Sequence, residues 1–241
     1  MPRSGAKRQL AFYGGSFTAI HAAAQEELLG AAAEAIGRGE IDSIRLSTRP
    51  DAIDGAVLER LRRFGVETIE LGAQSMDGEV LRLSGRGHTA EDVERAAAAV
   101  RSAGFRLILQ MMTGLPGDSE EKDLETARRL IALRPDGVRI YPTVIVRGTP
   151  LWEQWRRGAY RAHTVEEAVA VCAKLLPLFE AAHALSEGTG FDDFHVVRDD
   201  NHPADDSLPV AIGRGICTLR NLLGQDSLEF FEDGVFTINW L

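Results

Sequence analysis

Thr68-Ile-Glu-Leu-Gly-Ala-Gln-Ser-Met-Asp77, with Ser84-Gly-Arg-Gly-His-Thr89 behind it, decides the fold. The stretch opens as a short apolar run and ends in glycine and polar residues. It leads into Thr89-Ala-Glu-Asp92, where a hydroxyl followed three residues later by an acid marks a helix start, close to a capping box. The next segment, 90–103, repeats apolar residues three and four apart, and Gly104 stops it. Strand, polar strand end and helix together make one βα unit. The same unit recurs along the chain. Strands are expected at 9–13, 43–47, 68–72, 106–111 and 137–141, and helices at 25–36, 56–64, 90–103 and 121–133. Gly65 closes the second helix as Gly104 closes the third, and Thr164-Val-Glu-Glu167 is a full capping box opening a long helix to about residue 182. Parallel neighbours need a crossover of a dozen or more residues, which these helices supply. The fold class is α/β with a parallel sheet.

Composition narrows the function classes. With 241 residues, 44% of them hydrophobic, the chain can bury a full core, as one large domain or a domain with an appendage. No apolar run approaches the roughly 18 residues of a membrane span. Met1-Pro-Arg-Ser-Gly-Ala-Lys-Arg8 is basic but leads into a strand-like segment rather than a signal sequence, so a cytoplasmic protein is expected. A formal charge of −9 argues against a general nucleic-acid binder. The clusters Arg60-Leu-Arg-Arg63 and Arg156-Arg157 read as solvated helix faces, with a local basic patch as the alternative. Residues 186–206 read as an acidic loop. His195 and His202, with Asp192, Asp193, Asp199, Asp200, Asp205 and Asp206, match no metal-ligand spacing, and a solvated loop is the favoured reading over a divalent-metal site. The region 207–241 regains apolar content, with candidate elements at 208–212, 219–223 and 234–240. The expected organisation is a barrel domain over 1–183 and an unplaced tail over 184–241.

Five motifs sit at the strand ends, where βα folds bind ligands. They are Leu10-Ala-Phe-Tyr-Gly-Gly-Ser-Phe17, Arg45-Leu-Ser-Thr-Arg-Pro-Asp51, Glu70-Leu-Gly-Ala-Gln-Ser-Met-Asp77, Gln110-Met-Met-Thr-Gly-Leu-Pro-Gly-Asp118 and Arg139-Ile-Tyr-Pro142. Together, in order and spacing, they resemble the radical S-adenosylmethionine (SAM) proteins, specifically the elongator catalytic subunit and oxygen-independent coproporphyrinogen III oxidase. That resemblance covers about residues 9–180. It implies an incomplete (β/α)6-type TIM-like barrel lacking its first βα unit, with S-adenosyl-L-methionine as cofactor. In the family the turn at Tyr13, Gly14 and Gly15 binds the SAM amino group, and Gln74 with Arg86 contacts its carboxylate and neighbouring polar groups. Gln110 takes the position that contacts the ribose. Met112, with Met111, either flanks adenine or fills core. Ser47 and Arg49 offer a hydroxyl and a guanidinium to a nucleoside or carboxylate, although Arg49 can instead pair with Asp51. Tyr141-Pro142 and Arg147-Gly148-Thr149-Pro150 resemble the segment shaping the adenine and substrate side. His21 and His88 follow strand-end motifs as proton donors or as cap and surface residues. Leu151, Trp152 and Trp155 are expected to cover the barrel.

One element of the family is missing. Its [4Fe-4S] cluster hangs from three clustered cysteines, whereas this sequence has only Cys172 and Cys217. Cys172 lies in Ala168-Val-Ala-Val-Cys-Ala-Lys-Leu-Leu176, an apolar helix face, and is expected to be packing. Complete relatives would hold the cluster; this chain is expected neither to bind it nor to cleave SAM. Three origins fit: an N-terminally truncated product, a cluster-free protein binding SAM or a related nucleoside, and a scaffold. The elongator resemblance points to RNA as substrate and the oxidase resemblance to a tetrapyrrole, and the sequence leaves both open.

Overall fold

The computed structural model describes residues 8–13, 16–186, 228–230 and 235–238. Five parallel strands form one sheet in sequence order: β1 (Gln9–Phe12), β2 (Ser43–Thr48), β3 (Val66–Gln74), β4 (Arg106–Thr113) and β5 (Gly137–Pro142). The sheet curls into a half-barrel. Crossovers are α1 (Ala22–Gly37), α2 (Gly55–Arg63), α3 (Gly78–Leu83) with α4 (Ala90–Ser102), and α5 (Glu120–Ala132). After β5 come a two-residue strand, β6 (Ile145–Val146), and the helices α6 (Pro150–Arg156) and α7 (Val165–Ser186).

The side-chain alternation of the strands divides the molecule into an apolar and a polar half. One face of β2, β3 and β4 carries Ile44, Leu46, Ile69, Leu71, Ala73, Leu107, Leu109 and Met111, all fully buried. They pack with Leu29, Leu61, Val93, Ala97 and Leu130 of the crossover helices and with Leu175 and Phe179 of α7. Each such large side chain contributes about 1.5–3 kcal/mol on leaving water. The other face carries Gln9, Arg45, Ser47, Thr68, Glu70, Gly72, Gln110 and Arg139; across the strands Gln9 bonds Thr68, and Arg45, Gln110 and Arg139 converge on Glu70. This inner, polar face of the half-barrel is where the candidate site forms.

Local chemistry explains the helix boundaries. Thr89 and Asp92 form a reciprocal capping box on α4, Asp54 caps α2, Ser119 caps α5, and Thr164 and Glu167 exchange bonds at the start of α7. At the opposite ends, arginines tie neighbouring units together. The Arg62 guanidinium at the end of α2 donates to the Ala103 carbonyl closing α4, and Arg101 of α4 donates to the Arg134 carbonyl beyond α5. Arg8, ahead of β1, donates to the Gly39 carbonyl beyond α1 over 2.7 Å.

The structure departs from the sequence reading in three places. The helix α3 is six residues long, too short to show a period, and Asp77 caps it through the Val80 N–H. Trp152 and Trp155 pack with Leu151 and Tyr160 around Ile145 and Ala162, a small cluster separate from the main core. They cover β6 rather than the barrel sheet, because α6 follows β6 directly. In the tail, β7 (Leu228–Phe230) and β8 (Val235–Ile238) join β6 in a second sheet of order β6-β8-β7. The 234–240 expectation is met by β8; 208–212 and 219–223 lie outside the described residues. No helix among the described residues is long and apolar enough to cross a membrane.

Candidate ligand pocket at the strand ends

At the carboxyl ends of β1–β4 lies a cleft of about 470 Å³, lined by Tyr13, Ser16, Ser47, Thr48, Arg49, Gly72, Gln74, Arg86, His88 and Gln110. That volume falls among small-molecule sites, which run from roughly 300 to 1,000 Å³. Its floor is set by an irregularity in β3. Gly72 pairs with Gln110 and Gln74 pairs with Met111, so Ala73 is an extra residue in the ladder. Gln74 adopts φ 67°, a left-handed conformation rare for a side-chain-bearing residue. This folds its amide back over Gly72: a Cβ at Gly72 would stand 2.6 Å from Gln74 Nε2. The missing side chain is what lets Gln74 reach the pocket.

The loop after β1 is held by a hydroxyl relay. Ser16 Oγ lies 2.9 Å from Thr48 Oγ1, Thr18 Oγ1 lies 2.5 Å from the same atom, and Thr18 donates to the Ala52 carbonyl. Buried Gln25 adds bonds to the Thr18 and Ile20 carbonyls. Two guanidiniums then meet in the pocket in different states. Arg49 is engaged by Asp51, through Nε at 2.6 Å and a second, shorter contact, which realises the pairing weighed from the sequence. That bond, more than any other influence, holds the Asp51 carboxyl below its usual range. Arg86 is half-buried, and its side chain has no hydrogen-bond or carboxylate partner among the described residues. Burial first, then the like charge of Arg49, lowers its pKa. His88, 6% exposed, places Nε2 3.1 Å from the Ala73 carbonyl, which accepts its proton. Burial, as the largest cause, lowers its pKa, so the imidazole is neutral at pH 7.

Deeper on the inner face is a carboxylate that the sequence reading did not select. Glu70 is wholly buried, and its Oε2 meets Arg45 at 2.8 Å, Arg139 Nε at 3.3 Å and the Tyr13 hydroxyl at 3.3 Å. Its other oxygen accepts from the Gln110 amide. Arg139 also donates to the hydroxyls of Tyr13, at 3.0 Å, and Tyr141, at 3.2 Å. Both guanidiniums lie against the Tyr13 ring, at 5.9 and 5.6 Å. Burial and the Glu70 charge raise the Tyr13 pKa, so the phenol keeps its proton. An acid between the buried Ile69 and Leu71 was the available signal.

A second buried polar cluster sits behind the β4 turn. Asp123 of α5 is 2% exposed, beside Asp118 at the turn's end. Burial, followed by the Asp118 charge, raises its pKa to about 9, so it is protonated and donates to Asp118. Asp118 also accepts from the Leu115 and Ser119 N–H groups. Tyr160 donates to the Gly114 carbonyl over 2.6 Å, and the His163 ring packs so closely on Gly114 that a Cβ there would be 2.8 Å from Nδ1.

Of the residues singled out from sequence, Tyr13, Ser47, Arg49, Gln74, Arg86 and Gln110 line the pocket. Met112 is half-buried at the end of β4 and outside that lining, while Met111 is fully buried core. Gly14 and Gly15 lie outside the described residues, as do His195, His202, their neighbouring acids and Cys217. His21 caps α1 by accepting from the Ala23 N–H. Cys172 is 5% exposed within the core side of α7, and burial raises its thiol pKa. The described residues therefore do not fit an iron–sulfur cluster, which takes clustered thiolates. No group of three or more His, Cys, Asp or Glu among them could hold a metal.

Comparison with known proteins agrees with this architecture. The tRNA uridine(34) acetyltransferase of Methanocaldococcus infernus is 34% identical over 129 residues, covering 52% of this chain and 24% of its own length. Elongator complex protein 3 of Saccharomyces cerevisiae is 34% identical over 138 residues, covering 56% and 25%. The chain thus spans about a quarter of the length of these curated relatives. Among solved structures, the archaeal Methanocaldococcus infernus Elp3 with an N-terminal deletion superposes with a TM-score of 0.65 at 24% identity, covering 76% of this chain and 55% of that one. Coproporphyrinogen III oxidase (HemN) from Escherichia coli superposes at 0.58 and 21% identity, covering 73% and 41%. Both share the fold. Residues 135–184 match the Radical_SAM C-terminal domain, and residues 1–130 match the Radical SAM superfamily, over the strand ends that build the pocket. The chain belongs to the radical SAM superfamily.

Proposed function

We propose that this chain is the SAM-binding portion of a radical SAM protein and that the pocket at the strand ends holds S-adenosyl-L-methionine. One observation carries the reading: Arg86 is a half-buried guanidinium lining the pocket with no partner among the described residues, while its neighbour Arg49 is already matched by Asp51. A carboxylate entering there restores the balance. Gln74, held by the β3 irregularity, offers an amide beside it, and Ser47 and Gln110 offer hydrogen bonds to a ribose. Neutral His88 supports the wall without adding to the positive charge. SAM, when bound, supplies a reactive sulfonium; the residues here orient it and shield one side from water. Cluster ligands would come from sequence outside these 241 residues, so the chain by itself binds SAM without cleaving it.

Titration calorimetry with S-adenosylhomocysteine, which keeps the carboxylate and lacks the sulfonium charge, tests this. One site per chain is expected, and Arg86→Gln weakens it by about tenfold or more, the worth of one charge-assisted bond. Arg86→Lys retains part of the affinity. No binding to the folded chain, or binding indifferent to Arg86→Gln, overturns the reading. A protein that binds SAM or a related nucleoside without radical chemistry is the second reading, favoured by a lining drawn wholly from residues 13–110. It gains if a longer form carrying a cysteine loop binds no iron.

A further inference from the structure

The charge around the pocket runs opposite to that of the chain. The whole sequence carries −9, yet among the described residues Arg45, Arg49, Arg86 and Arg139 meet only the carboxylates of Glu70 and Asp51 across the inner face and pocket wall. The surplus is divided between two places. One is Arg86, treated above. The other lies in the Glu70 knot, where one buried carboxylate serves two guanidiniums.

Burial decides which of the two guanidiniums is left accessible. The Arg45 side chain is 19% exposed and holds the closer contact with Glu70, at 2.8 Å; Arg139 is 38% exposed and stands at 3.3 Å. A guanidinium carries five N–H donors. Arg139 turns Nε towards Glu70 and one N–H from each terminal nitrogen to the Tyr13 and Tyr141 hydroxyls. Its two remaining N–H groups have no acceptor among the described residues. The flanking rings are open to solvent, Tyr13 by 52% and Tyr141 by 39%. Tyr13 sits at the end of β1 and Tyr141 on β5, so this aromatic–cation–aromatic strip runs from the first strand of the half-barrel to the fifth. Tyr13 belongs both to the strip and to the pocket lining, which makes the two sites contiguous.

We infer that the Tyr13–Arg139–Tyr141 strip is a second subsite, next to the pocket, that takes the anionic end of the substrate: a carboxylate or phosphate carried on a flat ring. Arg139 supplies the charge and the free N–H pair, and the tyrosine faces supply stacking surface. Two negative groups are thereby sorted, the cofactor's to Arg86 and the substrate's to Arg139. In that sorting the inference rests on the SAM reading, although the strip's own geometry does not.

Calorimetric titration of the full chain with benzoate, phenyl phosphate and uncharged benzyl alcohol tests the subsite. Both anions are expected to bind more tightly than benzyl alcohol, and the stronger of the two identifies the source of the charge. Arg139→Gln is expected to weaken the anions by about tenfold, a larger loss than Arg86→Gln causes. Arg139→Lys, which preserves the charge beside Glu70, guards against a folding defect and is expected to recover most of the binding. Benzyl alcohol binding as well as the anions, or anion affinity that follows Arg86 instead of Arg139, overturns the proposal. S-adenosylhomocysteine titrated against the same variants separates the two readings. Its failure to bind with the Arg139 effect intact removes the cofactor assignment alone; its binding with no Arg139 effect on the anions removes the substrate subsite alone.

Discussion

Two buried acids in this half-barrel, Glu70 on β3 and Asp123 on α5, meet the same difficulty by opposite routes. Glu70 is surrounded by donors: two guanidiniums, a phenol and an amide converge on its two oxygens. Asp123 is buried beside another acid and takes a proton instead, with its pKa raised to about 9. A carboxylate withdrawn from water is costly unless it is paired or neutralised. The inner face of the sheet, dense with arginine, permits pairing; the turn behind β4 permits only protonation. Charge is thus kept where a ligand can use it and removed where the chain only has to hold a loop.

Breaking the first arrangement should have the largest effect. Glu70→Ala leaves Arg45 and Arg139 facing each other with no counter-charge, and a loss of about 3–5 kcal/mol is expected in chemical denaturation. A loss below about 1 kcal/mol would mean that solvent already screens the knot. The second arrangement is read by pH. The folded form holds the Asp123 proton that the unfolded form, with an ordinary value of 3.8, has released. Stability is therefore greatest below about pH 4 for this group and declines as pH rises towards 9, by at most ~1.4 kcal/mol per pH unit. Asp123→Asn keeps the donor to Asp118 and should flatten that decline in thermal melts across pH 6 to 9. An unchanged slope would place the proton elsewhere. The smallest effect is expected for Tyr160→Phe, which takes from the Gly114 carbonyl its 2.6 Å bond and should cost about 1 kcal/mol in the same melts.

These same residues mark where sequence reading works and where it stops. The βα alternation and the caps at Thr89 and Thr164 were legible, because each depends on local spacing; Gln74 and Arg86 were singled out through the family resemblance of the strand-end motifs, and Ser47 through its place at the end of a strand. Glu70 was not. A period-two strand shows that Glu70 and Leu71 point to opposite sides, yet it does not distinguish a barrel interior from solvent, and an acid reads by default as exposed. Asp123 was hidden in Glu120-Glu-Lys-Asp123, the ordinary acidic first turn of a helix. Arg49 and Arg86 already differed in sequence, because Asp51 sits two residues from Arg49; the first is matched and, among the described residues, the second is open. The left-handed backbone at Gln74 has no compositional signature, since glycine or asparagine is the usual residue there. The β6-β8-β7 pairing joins residues far apart in the chain, so no local pattern announces it.

The arginine bridges beneath the sheet have a bearing on how such a fold changes over time. Arg62 of α2 closes the end of α4 and Arg101 of α4 the end of α5, so each of these two crossovers is fastened by the crossover before it, at the end of the barrel remote from the pocket. Stability is collected at that lower rim, one unit clasping the next. The upper rim's loops are held by their own bonds, at Thr48 and Asp118, and can exchange the residues that face the pocket while the clasped base remains the same.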